Sequence, residues 1–477
     1  MALEPSNVEA NSTPGALATG FAGASSINDI LSVPTRGLRA NATWILVGNT
    51  VLAGARQLIF VLIAKLGNPE MLGQYGWAVA FCVPTVTICS FGIRSLLATD
   101  ARREVKFSEY LGFTLVFSVI GLLIVAGMIL INRADGYTVT LVMLVTIWTS
   151  LESISDTFAG LFTRDERMDL LAKACIFQAV LICVFLTAGL AIGKDLRWGV
   201  LGLIGAAFLR LVGYEWPNAS KHFKVSGLEP AHDTGLIGSP IFPQFHWKAY
   251  RHLLSAGIWL AILLYLLTLC DAIPRYLIKD QLGDAAVGVF TALFSVSLVV
   301  NLLVISICQS MSSRLAVLFA TNQRTAFLRL CVRSIIVSVS VGLLALAGSY
   351  FVGKPVLAIV FTPKYTEEMG LFYILLLTTI INCVSNITGT AITSMRRFAI
   401  VVPVYLIRIA IVYFGGLWAI QRAGLQGIGW ILVAASAFQS LCHALIIFNA
   451  LPSGHPAPRP FDACSDDLAT ISPRSSR

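Results

Sequence analysis

Apolar runs of about 20 residues, the length that crosses a bilayer as a helix, recur from Ala40 to Ala450. Such a chain must satisfy its backbone polar groups without water, and only helices or closed barrels do so in lipid. Barrel strands would alternate apolar and polar side chains over about 10 positions. These runs are continuous, so the fold class is an all-α polytopic membrane protein. Composition agrees: 12% of residues are charged, against about 25% in an ordinary soluble domain, and mean hydropathy is +0.79.

The runs give twelve spans. Six are Ala40 to Ala64, Gly76 to Leu97, Leu111 to Ile131, Tyr137 to Gly160, Leu171 to Ile192 and Trp198 to Tyr214. Six more are Leu253 to Cys270, Val287 to Ile307, Phe327 to Phe351, Met369 to Gly389, Ala399 to Leu417 and Gly427 to Ala450. An even number puts both termini on one side. Most of the 34 Lys and Arg fall on that side, which the positive-inside rule makes cytoplasmic. The net charge of +9 therefore reflects orientation and gives no reason to expect a nucleic-acid partner. Residues 1–39, with no signal-peptide pattern, and residues 451–477 read as disordered cytoplasmic tails. The longest connection, 215–250, reads as a cytoplasmic linker between two six-helix bundles, 40–214 and 251–450.

One corner is written twice. "LIAKLGNPEMLGQYGWAVAF", Leu62 to Phe81, ends one span, turns through Gly67, Pro69 and Gly73, and starts the next past Tyr75 and Trp77. "LIKDQLGDAAVGVFTALFSV", Leu277 to Val296, does the same between spans seven and eight. An even number of spans separates the copies, so the halves are parallel repeats about an axis along the membrane normal, an arrangement used by transporters that work by alternating access. The external connections are short, the longest being Asp271 to Ala286 and Gly353 to Glu368, which leaves little chain for an enzyme site outside the membrane. The P-loop pattern that cradles nucleotide phosphates is absent, and none of the ten cysteines sits in a metal or redox motif. No cofactor is expected.

A charge inside a span costs about 2.5 kcal/mol or more, so it points to function or to a partner. Arg56 lies in the first span, with Asn49 seven residues earlier on the same face. Arg408 lies in span eleven. Glu152 and Asp156, four apart, share one face of span four. Arg94, Arg210, Arg251 and Arg314 fall at cytoplasmic span ends, where orientation alone accounts for them, although a ring of guanidinium groups would also suit a phosphate. Ion pairing between helices is the alternative account of the charges within spans. Spans eight and ten carry a polar stripe, Ser295, Ser297 and Asn301 in one and Thr378, Thr379, Asn382, Ser385 and Asn386 in the other, that suits either helix association or a pathway.

"AKLGNPEMLGQYGWAVAF" resembles the first-hairpin signature of Wzx-type bacterial polysaccharide flippases, of the multidrug/oligosaccharidyl-lipid/polysaccharide exporter superfamily. "CDAIPRYLIKDQLGDAAVGVF" resembles that family's seventh-span exit, with Asp271, Arg275, Leu282, Gly283, Gly288 and Phe290 in the matching positions. "LFTRDERMDLLAKACI" resembles its basic loop after span four. The resemblance implies a transporter in the bacterial inner membrane. It would move an undecaprenyl-diphosphate-linked oligosaccharide from the cytoplasmic to the outer face for surface polysaccharide such as exopolysaccharide or O-antigen. Partners implied are that lipid-linked substrate, membrane lipids, and a polysaccharide polymerase with its export machinery. Arg56 and Arg408 become candidate diphosphate contacts in a cationic cavity, Arg94 and Arg251 entrance contacts and Asn49 a neighbour in the site. Glu152, Asp156, Asp271 and Arg275 become candidates for coupling or gating. Other readings are a cation-coupled drug or metabolite exporter of the same superfamily, a membrane polymerase or ligase, and a non-transporting scaffold.

Overall fold

In the computed structural model, residues 38–100, 103–226, 241–395 and 398–450 are described. Both tails and part of the linker, residues 227–240, lie outside them. The first half holds α1 (Leu38–Leu66), α2 (Pro69–Ser90), α3 (Ile93–Thr99), α4 (Phe107–Ile131), α5 (Gly136–Arg164), α6 (Met168–Gly193), α7 (Leu196–Arg210) and α8 (Trp216–Ser226). The second holds α9 (Trp247–Leu282), α10 (Asp284–Ala320), α11 (Arg324–Val360), α12 (Met369–Ser394) and α13 (Phe398–Ala450). Nine helices among the described residues are long and apolar enough to cross a membrane. Three further spans complete twelve: α1, α10 with its apolar stretch Asp284–Val299, and the second limb of α13, which Ala423 and Gly424 split in two.

Two expected loops are helix. The stretch from Asp271 to Ala286 contains one non-helical residue, Gly283, between α9 and α10. Its φ of +83°, natural only for glycine, turns the chain at once. The charges of Asp271, Arg275 and Lys279 interrupt the apolar run, but their four-residue spacing keeps them on one helical face. Likewise α11 continues through Gly353 to Val360, and a short 3₁₀ turn follows at Pro363–Thr366. The linker also shortens: α8 runs to Ser226, and α9 starts at Trp247.

The repeated corner owes its composition to a contact between its copies. Gly73 and Gly288 are not turn residues; both lie within helices. A Cβ on Gly73 would sit 1.8 Å from the Asp284 carbonyl oxygen, and one on Gly288 would sit 1.9 Å from that of Pro69. Each glycine thus meets the residue one turn before the other. One turn further on, a Cβ on Gly76 would meet the Thr291 hydroxyl at 2.6 Å. The helix starts themselves differ. In α2 the Asn68 side chain accepts from Met71 N at 2.8 Å with Pro69 in the first turn, whereas α10 relies on Gly283.

The buried apolar residues form one core at the corner end and two at the other. The corner core draws on both halves: Ile59, Leu72 and Leu141 with Leu277, Phe290 and Leu375. Tyr276 Oη donates to the Ala80 carbonyl at 2.7 Å across the same seam. At the opposite end, one core joins Phe107, Phe158 and Phe223 of the first half, with Tyr250 and Leu253 at the start of α9. The other joins Leu266, Val304, Phe327 and Ile387 of the second half. The buried cores are thus separate at the end where α1 begins and α13 stops, with the start of α9 packed into the first of them, which leaves room for a cleft between the halves that opens toward that end.

Candidate functional site

Charged side chains line the wall of that cleft in the first half. On α1, Val47, Val51 and Leu58 mark an exposed apolar face. Arg56 projects about half a turn away from them, on the side of buried Ile59 and Ile63, yet its side chain is 51% accessible. Accessible surface on the packed side of a helix means that the bundle encloses water-sized space there, and a guanidinium is stable beside water rather than lipid.

Arg56 starts a ladder that runs inward. Its Nη2 donates to Glu152 Oε2 on α5 at 3.0 Å. The same oxygen lies 3.9 Å from Nη1 of Arg210. Gln178 of α6 bridges the two, donating to Glu152 Oε1 and accepting from Arg210. Arg210 then pairs with Glu215 at 2.7 Å, and Ser155 Oγ donates to Glu215 Oε2 at 2.7 Å. Accessibility falls from 51% at Arg56 through 13% at Glu152 to 3% at Arg210 and 1% at Glu215.

Arg210 and Glu215, read from the sequence as a span end and the first linker residue, are therefore the most enclosed pair of the ladder. In a regular α-helix, residues five apart point about 140° from each other. Here residues Leu211–Glu215 form a π turn, a wider coil often found at functional sites, which lets Glu215 fold back onto Arg210. Neither run length nor charge spacing signals this. A visible cue was Gln178, a polar residue in the apolar run "ACIFQAVLICVF".

A second pair stands toward the open end. Phe91 and Gly92, with φ of +49° and +61°, end α2 and re-aim the chain as α3. This brings Arg94 to Asp156 at 3.5 Å, with accessibilities of 42% and 48%. Arg56 and Arg94 thus each have a carboxylate, and the pairing account holds for both. Arg251 is exposed near the start of α9. The side chain of Asn49 lies outside the described residues.

The second half is built differently. Arg408 is 7% exposed and reaches Gln439 on the second limb of α13; no carboxylate stands within ion-pair distance of it among the described residues. It is enclosed in the half rather than set on the open wall. His443, one turn past Gln439, is fully buried and lies 3.3 Å from Thr388 Oγ1. Neither Gln439 nor His443 was singled out from sequence, though both interrupt the run "ASAFQSLCHALI". Asp271 is exposed, about 16 Å from the end of α9 by helix rise. Arg275 donates to the Asp271 carbonyl at 2.8 Å and covers Phe294 at 5.4 Å. The polar stripe associates helices: Asn386 donates to Asn301 at 2.7 Å, and Ser385 meets Ser440 at 2.7 Å.

A cluster closes the inner end of the first half. Asp165, after α5, accepts from Arg103 at 2.9 Å and Arg164 at 3.2 Å, with His222 Nε2 at 2.8 Å. Burial pushes the Asp165 carboxyl up, but the His222 hydrogen bond and the charges of Arg164 and Arg103 outweigh it and hold it below the usual carboxylate range.

Comparison with known proteins accords with this architecture. The chain is 21% identical over 388 residues to the capsular polysaccharide biosynthesis protein CapF of Staphylococcus aureus, covering 81% of this chain and 93% of that one. Among solved structures, an inward-facing multidrug resistance MATE family transporter of the MOP superfamily superposes with a TM-score of 0.60 at 12% identity, covering 89% of this chain and 98% of that one. A MOP superfamily transporter from Pyrococcus furiosus, described as having a binding pocket of reverse polarity, gives 0.61 at 12% identity and 89% and 97% coverage. A Vibrio cholerae MATE transporter gives 0.57 at 10% identity and 91% and 98% coverage. These structures share the fold of this chain. The model for polysaccharide biosynthesis proteins matches residues 38–312, more than half of the chain, and the protein belongs to that family, as a multi-pass membrane protein with the fold of MOP-superfamily transporters.

Proposed function

We propose that this protein flips a polyprenyl-diphosphate-linked oligosaccharide from the cytoplasmic to the outer face of a bacterial inner membrane, as a step in making surface polysaccharide. The observation that carries the reading is the cleft: charged side chains on a water-accessible wall between two halves joined at one end. Sugars and diphosphate would occupy this hydrated space while the polyprenyl tail stays in lipid. With the termini cytoplasmic, as the Lys and Arg distribution indicates, the cleft opens to the side where the lipid-linked sugar is made. Alternating access then requires the seam at the corner end to open while the two inner cores close together.

In this reading Arg56 is the principal phosphate contact, because it combines charge, accessibility and depth. Arg94 and Arg251 act at the mouth. Arg408 lies behind the opposing wall, enclosed with Gln439, and Asp271 and Arg275 on one helix register whether the halves are apart. Glu152 and Asp156 are the carboxylates available for coupling.

The test is translocation of a fluorescent undecaprenyl-diphosphate oligosaccharide in liposomes containing the purified protein, with Arg56→Ala in parallel. Transport by the wild type and loss in the variant support the reading. An inactive wild type whose dye or drug flux responds to an ion gradient replaces it with an exporter of organic cations.

A further inference from the structure

We propose that Glu152 is the exchangeable counter-ion of the cleft: an entering phosphate takes its place on Arg56, and Glu152 moves to Arg210. This deepens, and rests on, the diphosphate reading above. Three observations point to the exchange. Arg56 is half accessible, so an anion reaches it from the cleft, but its Nη2 already serves Glu152 at 3.0 Å. The Glu152 oxygen that accepts this bond is the one 3.9 Å from Arg210, so a small side-chain rotation gives it a new cation. Gln178 holds the other Glu152 oxygen and touches Arg210 as well, providing a fixed pivot on α6.

Donor occupancy explains why an exchange is needed. Arg210 already holds Glu215 at 2.7 Å, and Arg56 Nη2 is taken by Glu152. A phosphate that binds Arg56 through both of its terminal nitrogens, the strong bidentate geometry, needs the donor that Glu152 occupies. Moving Glu152 to Arg210 leaves Arg56 wholly for the phosphate. Arg210, with five N–H donors, can serve two carboxylates. The return movement is equally useful, since Glu152 competes for Arg56 and helps expel the phosphate. A transporter must release what it binds. Glu152 is on this account a positioning residue that weakens binding in order to permit turnover.

The experiment measures binding of farnesyl diphosphate, a short polyprenyl diphosphate, to the detergent-purified full chain by titration calorimetry, and translocation in liposomes. Glu152→Gln removes the competing charge while keeping an acceptor for Arg56. The expected result is at least tenfold tighter binding with slower translocation at saturating lipid. Arg56→Gln combined with Glu152→Gln should abolish the gain, which a general structural change would not do. Glu152→Asp, which keeps the charge but draws it back by one methylene, should tighten binding in the same direction by a smaller factor, and serves if Glu152→Gln is poorly folded. Binding by the wild type with unchanged or weaker binding in both single variants overturns the exchange and leaves the flippase standing. No binding by any of the proteins overturns the diphosphate reading and the exchange with it.

Discussion

The two halves meet through matching glycines at the corner but differ in their interiors. In the first, the buried Arg210 meets Glu215 at 2.7 Å and stands within reach of Glu152. In the second, the buried Arg408 meets the neutral Gln439, with buried His443 one turn beyond Gln439. The difference separates two uses of a guanidinium inside a membrane. One is neutralised by carboxylates and helps tie four spans together; the other is enclosed with a neutral amide as its partner. The corner is thus alike in the two halves, while the lining is asymmetric.

Removing one charge from the enclosed pair should break the comparison most severely. Glu215→Gln leaves Arg210 buried without its main partner, a change that costs about 3–5 kcal/mol, read as a large drop in melting temperature in detergent. Arg408→Met should cost less, about 1–3 kcal/mol, because it leaves only a neutral amide short of a donor. Equal losses in the two variants would mean that the halves do not differ in this way. Function should reverse the ranking per unit of stability lost: Arg408→Ala is expected to abolish export at normal protein level and insertion, and normal surface polysaccharide would remove Arg408 from the site.

The corner sharpens the comparison from the opposite direction, because there the halves are alike. Gly73→Ala and Gly288→Ala should each destabilise the closed seam by a similar amount, about 1–3 kcal/mol by overpacking. Both should raise labelling of a cysteine at Ala80 from the corner side. An effect from one glycine alone would contradict the reciprocal contact.

The smallest effect concerns the inner cluster. The Asp165 carboxyl is held below its ordinary range, so its contribution is complete above the unfolded value of about 3.9 and is lost as pH falls through the lower folded value. Asp165→Asn should remove on the order of 1 kcal/mol at neutral pH, seen as faster hydrogen exchange in 161–170 and 216–226, and should flatten the acid dependence there.

How far the sequence carried these results depended on whether a feature was local. Span number, helical class and the repeated corner are properties of composition and period. Glu152 and Asp156 could be placed on one face because they stand four apart. The ends of spans were less legible: the charges at Asp271, Arg275 and Lys279 hid a helix that continues to Leu282. Partner identity was least legible. Arg56 meets Glu152 across 96 residues of chain, and Arg210 meets Glu215 only through a π turn that no residue type announces. That Arg408 lies inside its half, rather than on the cleft wall, depends on packing between the limbs of α13.

The backbone contact at the corner also limits what can be built there. Because Gly73 lies against Asp284 and Gly288 against Pro69, neither stretch can gain a side chain without intruding on the other. A methyl group at either position must push the two helices apart. The likeness of "MLGQYGW" and "AVGVFTA" at these glycines is thus a mould and its cast, each stretch shaped by the surface of the other.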